Sequence, residues 1–551
     1  MRKFISLIVL IGICGYFLFF HLGSYGLLET TDARYAEIGW EMFRSHNFIT
    51  PHFDFIKHFH KPPFTYWMTA LGYALLGENE WGARFFLGVF GLLTLGIVFL
   101  ISRLMFDKEV APYAVIILLS MIGFLGVTHV VATDLYLLFF ICLAIYFFLR
   151  WERGKGSLLW GWATLGISTL VKGPVAPIIV GSVCFFYLLF SGQIKRLKAA
   201  DIDKGLILFF IIALPWYLWV CSHNKGLFTY FIKTQFFSRL ETGTMGHPHP
   251  WYYYFPILPA LIFPWTLYTF VGFLFSVRHM DKEKLFFILW SAVPFGLYSL
   301  MRTKLPFYII PCLPPLAILT AVWWISVSEN SQVIRWCHYA MLGGCVVMAL
   351  TALAMAIPMF RGHGNILEWQ QLKRLWYAEA AMFLLIALAF GMSLRLRQRL
   401  ITLVCLLGIT NAICLPLLCY GNKLPINTYR SLAQTIYKLA QPDDLVVQYR
   451  CYLRALPFYV KRPTILVDIP RETQFETDLN YKRILINSQK FWKLWQGPER
   501  IYCVVPKRIL KDFLGKGYFF VTQRRKYAVI TNKPLPGKVN TVSTAVLSYI
   551  Q

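Results

Sequence analysis

The sequence predicts a polytopic α-helical membrane protein of about thirteen spans with a small α/β domain at its C-terminal end. Three observations carry that expectation. Of 551 residues, 57% are hydrophobic and 15% charged, where soluble globular chains have about 45–50% and about 25%. Mean hydropathy is +0.54. Apolar runs of bilayer length recur from residue 4 to residue 420. The formal net charge of +27, from 54 Lys and Arg against 27 Asp and Glu, would by itself suggest a nucleic-acid partner. Nucleic-acid binders set their charge on polar surfaces, however, and a chain this apolar is read as binding none. Aromatic residues at 17% fit the belts that line membrane interfaces.

Runs long enough to cross a hydrocarbon core, about 17–25 residues, lie near residues 4–22, 82–103, 110–127, 129–149, 157–172, 174–191, 205–221, 251–276, 284–300, 306–326, 337–357, 376–394 and 399–420. The first follows Arg2 and Lys3 and reaches Phe20 without a small-residue cleavage pattern, so it reads as a retained helix with its N-terminus inside. From that start, the loops expected on the cytoplasmic side carry Arg103 and Lys108, then Arg150, Arg153 and Lys155, then Lys195, Arg196, Lys198 and Lys204. Later ones carry Arg278, Lys282 and Lys284, and finally Arg395, Arg397 and Arg399. This is the positive-inside signature, and much of the basic excess is read as serving it. Arg361, Lys373 and Arg374 run against it in one outer loop. The apolar stretch 62–77 is short and opened by two prolines, so it reads as interfacial or re-entrant. As a true span it would invert every later loop.

The expected organisation is a membrane domain over residues 1–420, with outer loops at 23–81 and 222–255, and an outer α/β domain over 421–551. The first loop holds an amphipathic stretch at 33–43, with Ile38, Met42 and Phe43 able to share a helical face. The tail alternates a helical pattern at 429–439 with short apolar strands at 445–448, 464–467 and 501–505. Ten of the twelve cysteines sit in or beside apolar runs, as small hydrophobes. Cys451 and Cys503 lie in the more polar tail, where spacing alone neither makes nor excludes a disulfide.

Ionisable residues at membrane depth are candidates for function because isolated charges are costly there. Asp134 follows Val130, Val131, Ala132 and Thr133 at the outer end of one run, and Asp32 lies in the first outer loop. Each has a second reading as the N-cap of the helix that follows it. Arg34, Lys57, Lys61, Arg84, Lys172, Arg239, Arg302 and Lys304 all map to the outer side, where positive charge is disfavoured, so an anion at the outer surface would explain them. Pairing with lipid headgroups is the plainer account. His52, His58 and His60 in the first loop and His247 and His249 in the second have the chemistry to hold Zn²⁺, or stand as solvated side chains. The run Trp251-Tyr252-Tyr253-Tyr254 reads as an interfacial belt, with sugar stacking as the alternative.

At these residues the sequence resembles the bacterial aminoarabinose transferases, GT-C glycosyltransferases of lipid A related to protein O-mannosyltransferases. The resemblance begins with Thr31-Asp32-Ala33-Arg34-Tyr35-Ala36-Glu37-Ile38, Glu41-Met42, Pro51, Lys61-Pro62-Pro63 with Tyr66-Trp67, Gly77 and Arg84. It continues through Thr133-Asp134, Lys172-Gly173, Pro215-Trp216, Gln235, Arg239, His247, Pro250, Tyr252-Tyr253, Pro264-Trp265 and Lys304-Leu305-Pro306 with Tyr308. It implies that Asp32 and Asp134 are the two catalytic acids. Arg34, Tyr35, Lys61 and Arg239 would hold the phosphate of a polyprenyl-phosphate sugar donor, with Lys304 and Tyr308 lining the same cavity. The first-loop acid of the family stands three residues before the Arg of Arg-Tyr; here that place is Thr31, and Asp32 is two before. Where the family often has Glu before Lys-Pro, this chain has His60, which with His247 makes the candidate set for a divalent metal such as zinc.

The chemistry of the residues agrees with what the resemblance implies. Phosphate departs as an anion that Lys and Arg can stabilise, so no acid is needed at the leaving group. An acceptor hydroxyl needs a carboxylate to take its proton; an ionised acceptor phosphate needs one only to orient it. The expectation is an inner-membrane enzyme that moves 4-amino-4-deoxy-L-arabinose from undecaprenyl phosphate to lipid A on the periplasmic face, inverting, with no cofactor required. Transfer to protein Ser/Thr or another envelope glycan keeps the donor and changes the acceptor. A lipid-linked-sugar transporter is the third reading, against which stand the lack of a two-half repeat and the gathering of acids and large loops on one face.

Overall fold

The computed structural model describes residues 2–199, 201–237, 248–327, 331–355, 376–377, 379–389, 391–392, 404–410, 428–469 and 481–535. Two compact units divide the chain. One comprises Met1–Tyr25, His60–Thr65 and Arg84–Pro425; the other comprises Gly26–Phe59, Tyr66–Ala83 and Ile426–Gln551. Most of the first outer loop thus groups with the tail, while His60–Thr65 belongs to the first unit.

In the first unit, the apolar runs form helices. Among the described residues, five are long and apolar enough to cross a bilayer: Glu80–Met105, Thr133–Glu152, Ile202–His223, Pro306–Ser326 and Gln332–Ala354. The last residues of the expected span 376–394 and most of 399–420 lie outside the described residues. Ile207, Ile211 and Leu218 are each more than 60% exposed on one face of Ile202–His223, an arrangement that suits lipid and not water. Two expected spans are broken. Val110–Ser120 and Ile122–Thr128 meet at 69°, where Met121 is extended and the freed amide of Ile122 donates to the Phe263 carbonyl at 3.0 Å. The expected span 251–276 is two helical segments, Trp251–Leu261 and Thr266–Arg278, at 112°; Pro264 in the break has no amide proton to continue a helix. Within the helices, hydroxyls bond back one turn, as Thr94 does to Phe90 and Ser291 to Phe287, which satisfies those groups inside their own helix.

The stretch 62–77 forms the helix Phe64–Leu76 of 13 residues, about 20 Å long and short of a hydrocarbon core.

In the second unit, helix Thr31–Ser45 is buried over most of its surface, more fully than an amphipathic face would be. A short hairpin of β1 (His52–Phe53) and β2 (Ile56–Lys57) follows it. The tail forms one sheet from β3 (Leu445–Tyr449), β4 (Ile465–Val467), β5 (Leu485–Ile486), β6 (Ile501–Pro506), β7 (Phe519–Arg524) and β8 (Tyr527–Thr531), in the order β5-β4-β3-β6-β8-β7. The first four strands are parallel and β8 and β7 antiparallel. Val447, Tyr449, Phe491, Trp495, Ile501, Cys503 and Phe513 pack together on the sheet. The helix Arg430–Leu439 and β3, β4 and β6 lie within a residue or so of their expected positions; β5, β7 and β8 were not expected. Cys451 and Cys503 are free, buried thiols.

Candidate functional site

Asp134 and Lys172 form a buried ion pair, with Lys172 Nζ 2.7 Å from Asp134 Oδ1. Their side chains are 14% and 6% exposed respectively. Each stands where its helix favours it. Asp134 lies in the first turn of Thr133–Glu152 and Lys172 is the last residue of Leu159–Lys172, so each charge meets the helix end of opposite partial charge. The two helices pack on one another. Gly173, at φ 64°, ends the second helix immediately after the lysine, a conformation that glycine takes without penalty. The N-cap position of the first helix is Ala132, so Asp134 is an ion-pair partner and not a cap.

Lys172 Nζ also sits 4.0 Å from the ring centroid of Tyr308, a cation–π distance. Both line a cavity of about 330 Å³ with His60, Lys61, Tyr217 and Tyr298, the rest of its wall being mainly apolar, including Val175, Ile178, Ile179, Phe231, Leu297 and Met301. Tyr217 is fixed by donating its hydroxyl to the Thr169 carbonyl at 2.9 Å. The result is a mostly apolar chamber with ammonium charge on its wall, suited to an amphiphile with an anionic head.

Of the expected site residues in this unit, Asp134, Lys61, Tyr308 and His60 come together at or beside the cavity. Lys304 does not share it. Lys304 lies in a neighbouring hollow with Pro248, His249, Trp251 and Arg302, where its ammonium donates to the backbone carbonyls of His249 and Met301. Burial lowers its pKa from the ordinary lysine value. Arg84, read as an outer cation, is fully buried; it donates to the carbonyls of Leu22 and Tyr25 and stacks over the Tyr25 ring at 4.0 Å. Its role is structural. The aromatic run divides: Trp251 and Tyr252 are exposed, while Tyr254 is buried and donates to the Leu305 carbonyl. Arg239 and His247 lie outside the described residues. Lys172 was read among the outer cations and in the motif Lys172-Gly173 but was given no role in the site, and Tyr217 and Tyr298 were not singled out.

Asp32, Arg34 and Tyr35 belong to the second unit. Asp32 is 1% exposed and its Oδ2 accepts from the Leu28 amide at 2.9 Å. It therefore fastens the turn before its helix, whose N-cap is Thr30. Arg34 is close enough to Glu29 to act on its charge, and Tyr35 stacks on Tyr66 with ring centroids 5.6 Å apart. The same helix buries Glu37 and Glu41 beside Asp54. Asp54 accepts from both the amide and the hydroxyl of Thr464, at 3.2 and 2.8 Å. Burial foremost pushes Glu41 to about 7 and Asp54 to about 8, and Glu37 well above its usual range.

Of the candidate metal ligands His60 and His247, only His60 lies among the described residues. Among the described residues no three His, Cys, Asp or Glu side chains converge as ligands. His60 stacks on Tyr230 and lines the same cavity as the Lys172 ammonium, a neighbour that disfavours a cation.

Residues 60–219 match the family model of dolichyl-phosphate-mannose-protein mannosyltransferases, and residues 432–532 match that of the aminoarabinose transferase C-terminal domain. The undecaprenyl phosphate-alpha-4-amino-4-deoxy-L-arabinose arabinosyl transferase 2 of Pseudomonas fluorescens (strain Pf0-1) is 31% identical over 307 residues, 54% of this chain and 56% of that protein. Its counterpart in strain Pf-5 is 28% identical over 371 residues, covering 64% and 62%. The chain thus spans a little over half the length of these curated relatives. The fold is similar to the crystal structure of ArnT from Cupriavidus metallidurans bound to undecaprenyl phosphate, with a TM-score of 0.85 at 22% identity over 96% of this chain and 98% of the other. The archaeal oligosaccharyltransferase AglB from Archaeoglobus fulgidus is similar at a TM-score of 0.51 and 13% identity, over 96% of this chain and 74% of that one. The fold is that of a multi-pass membrane protein with a C-terminal sheet domain.

Proposed function

We propose that this chain is a member of the aminoarabinose transferase family of GT-C membrane proteins and transfers 4-amino-4-deoxy-L-arabinose from undecaprenyl phosphate to lipid A. The relatives with matching sequence carry the donor and the sugar in their names, and the match of residues 432–532 favours the same sugar here. The single observation that supports the reading in the fold is the chamber in which Lys172, held by Asp134 and seated over Tyr308, meets a mainly apolar wall. An isoprenoid phosphate has those two properties, an apolar chain and an anionic head.

In this reading Lys172 and Lys61 neutralise the charge that grows on the phosphate as the glycosidic bond breaks, together with Arg239. Arg34 and Tyr35 are phosphate-holding candidates on the resemblance alone, and Lys304 orders the adjoining backbone. Asp134, already paired, keeps the Lys172 ammonium in place. Asp32 is the first-loop carboxylate that orients the acceptor or takes its proton. One displacement inverts the anomeric centre, and no step calls on a metal. The positive-inside pattern supports placing the active site and tail on the periplasmic side of a bacterial inner membrane.

The test is mass spectrometry of lipid A from cells with and without the chain. Gain of an aminopentose is expected; lipid A unchanged in both overturns the acceptor. The match of residues 60–219 to a protein mannosyltransferase model favours one second reading, a protein hydroxyl as acceptor, which would show as a glycan on envelope proteins instead.

A further inference from the structure

Four tyrosines stand at or near the cavity, and they differ in what their hydroxyls do. Tyr217 donates to the Thr169 carbonyl and Tyr254 to the Leu305 carbonyl. Tyr308 offers its ring to Lys172. Tyr298, close to the end of the helix Lys282–Leu300, is 4% exposed and lines the cavity, and its hydroxyl has no hydrogen-bond partner among the described residues. Its ring lies 5.7 Å from that of Tyr308 and 6.5 Å from that of Tyr254, within electrostatic range of Asp134. A buried hydroxyl without a partner is a standing cost, and Phe at this position would avoid it. The cost has a use if the partner arrives with a ligand.

We propose that the Tyr298 hydroxyl is a ligand-binding group, donating a hydrogen bond to a phosphoryl oxygen of the polyprenyl phosphate in the chamber lined by Lys172. The inference rests on the donor reading above. It adds a neutral, directional donor to a chamber whose wall carries the Lys61 and Lys172 ammonium groups. A lysine fixes where charge sits, whereas a phenol on a packed ring also fixes the orientation of the oxygen it meets.

Tyr298→Phe removes one oxygen and no packing. Binding of undecaprenyl phosphate to the full chain in detergent, read by native mass spectrometry, is expected to weaken about tenfold, the worth of one hydrogen bond to a charged oxygen. Undecaprenol, which lacks the phosphate, is expected to bind wild type and variant alike. The melting temperature of the unliganded variant is expected to equal or exceed that of wild type, because a hydroxyl that serves only the ligand contributes nothing to the empty fold. Equal affinity of both proteins for undecaprenyl phosphate, or a lower melting temperature of the empty variant, overturns the inference while leaving the donor reading intact. Wild type that binds no undecaprenyl phosphate overturns both.

Discussion

Lys172 is the residue on which most of the site converges: it pairs with Asp134, sits on Tyr308 and lines the chamber. Replacing it by Met keeps the stem and removes the charge. Lys172→Met is expected to raise the KM for the lipid-linked donor at least about tenfold, since one charge-assisted contact to phosphate is worth about 1.5–3 kcal/mol, and steady-state assays with varied donor would read it. Normal KM and kcat would remove Lys172 from the site. Asp134→Asn leaves the ammonium in place but unpaired, so it is expected to lower thermal stability as well as activity. Arg84 carries the opposite lesson. Buried on two carbonyls and a ring, it is expected to cost about 3 kcal/mol on replacement by Ala, seen as a lower melting temperature, with the donor KM of the surviving protein unchanged.

At the scale of elements, the helix Thr31–Ser45 shows how sequence pattern and site separate. Glu37 and Glu41 are one turn apart on it, and the φ 51° backbone at Asp54 brings a third carboxyl to them. Their folded pKa values lie above the ordinary values of 4.5 and 3.8, with Glu41 near 7 and Asp54 near 8. The folded state therefore holds protons that the unfolded chain has released. The stabilisation is fully present below about pH 4 and is lost as pH rises through 7 to 8. Thermal unfolding followed by circular dichroism is expected to show the melting temperature falling from pH 5 to pH 9, with a shallower fall in Glu41→Gln. A flat profile in wild type would mean that the carboxyls ionise in place. The fastening of Asp54 to Thr464 makes β4 the strand most exposed to this effect.

For the molecule as a whole, the net charge is distributed differently from the reading that loops account for much of it. Residues 421–551 hold 22 Lys and Arg against 8 Asp and Glu, +14 of the total +27. Lys507 and Arg508 open a 3-10 helix, Arg524 ends β7, and Arg525 and Lys526 form the β7–β8 turn; the Lys507 amide donates to the Lys526 carbonyl at 2.8 Å, which brings these five together. Arg508, Arg525 and Lys526 are exposed. A phosphate-rich surface would draw such a turn within a Debye length of about 8 Å. Full-length protein in phosphatidylglycerol nanodiscs is expected to exchange amide hydrogens at residues 519–531 more slowly than in phosphatidylcholine nanodiscs, with high salt erasing the difference. Equal exchange in both lipids at low salt would deny the attraction.

Composition and run length determined the class of this protein, because apolar surface on that scale has no solvent but lipid. The outlines of the tail domain were legible for a similar reason: short β-branched runs such as Leu445–Tyr449 and Ile501–Pro506 leave few alternatives to buried strands. The same signals failed at Met121 and Pro264, where hydropathy is continuous but the backbone turns, and only a distant carbonyl, that of Phe263, satisfies the freed amide. Among site residues, the sequence picked out Asp134 and Lys61, because charge and turn chemistry stand out against an apolar background, and the family resemblance added Tyr308. The resemblance placed Lys304 in the same cavity and Arg84 was read as an outer cation, since a lysine or arginine reads alike whether its charge is free or spent on carbonyls. Tyr298 was invisible, being one of thirty tyrosines. What distinguishes it is a hydroxyl without a partner on the wall of a cavity, and cavity and partners exist only once the chain has folded.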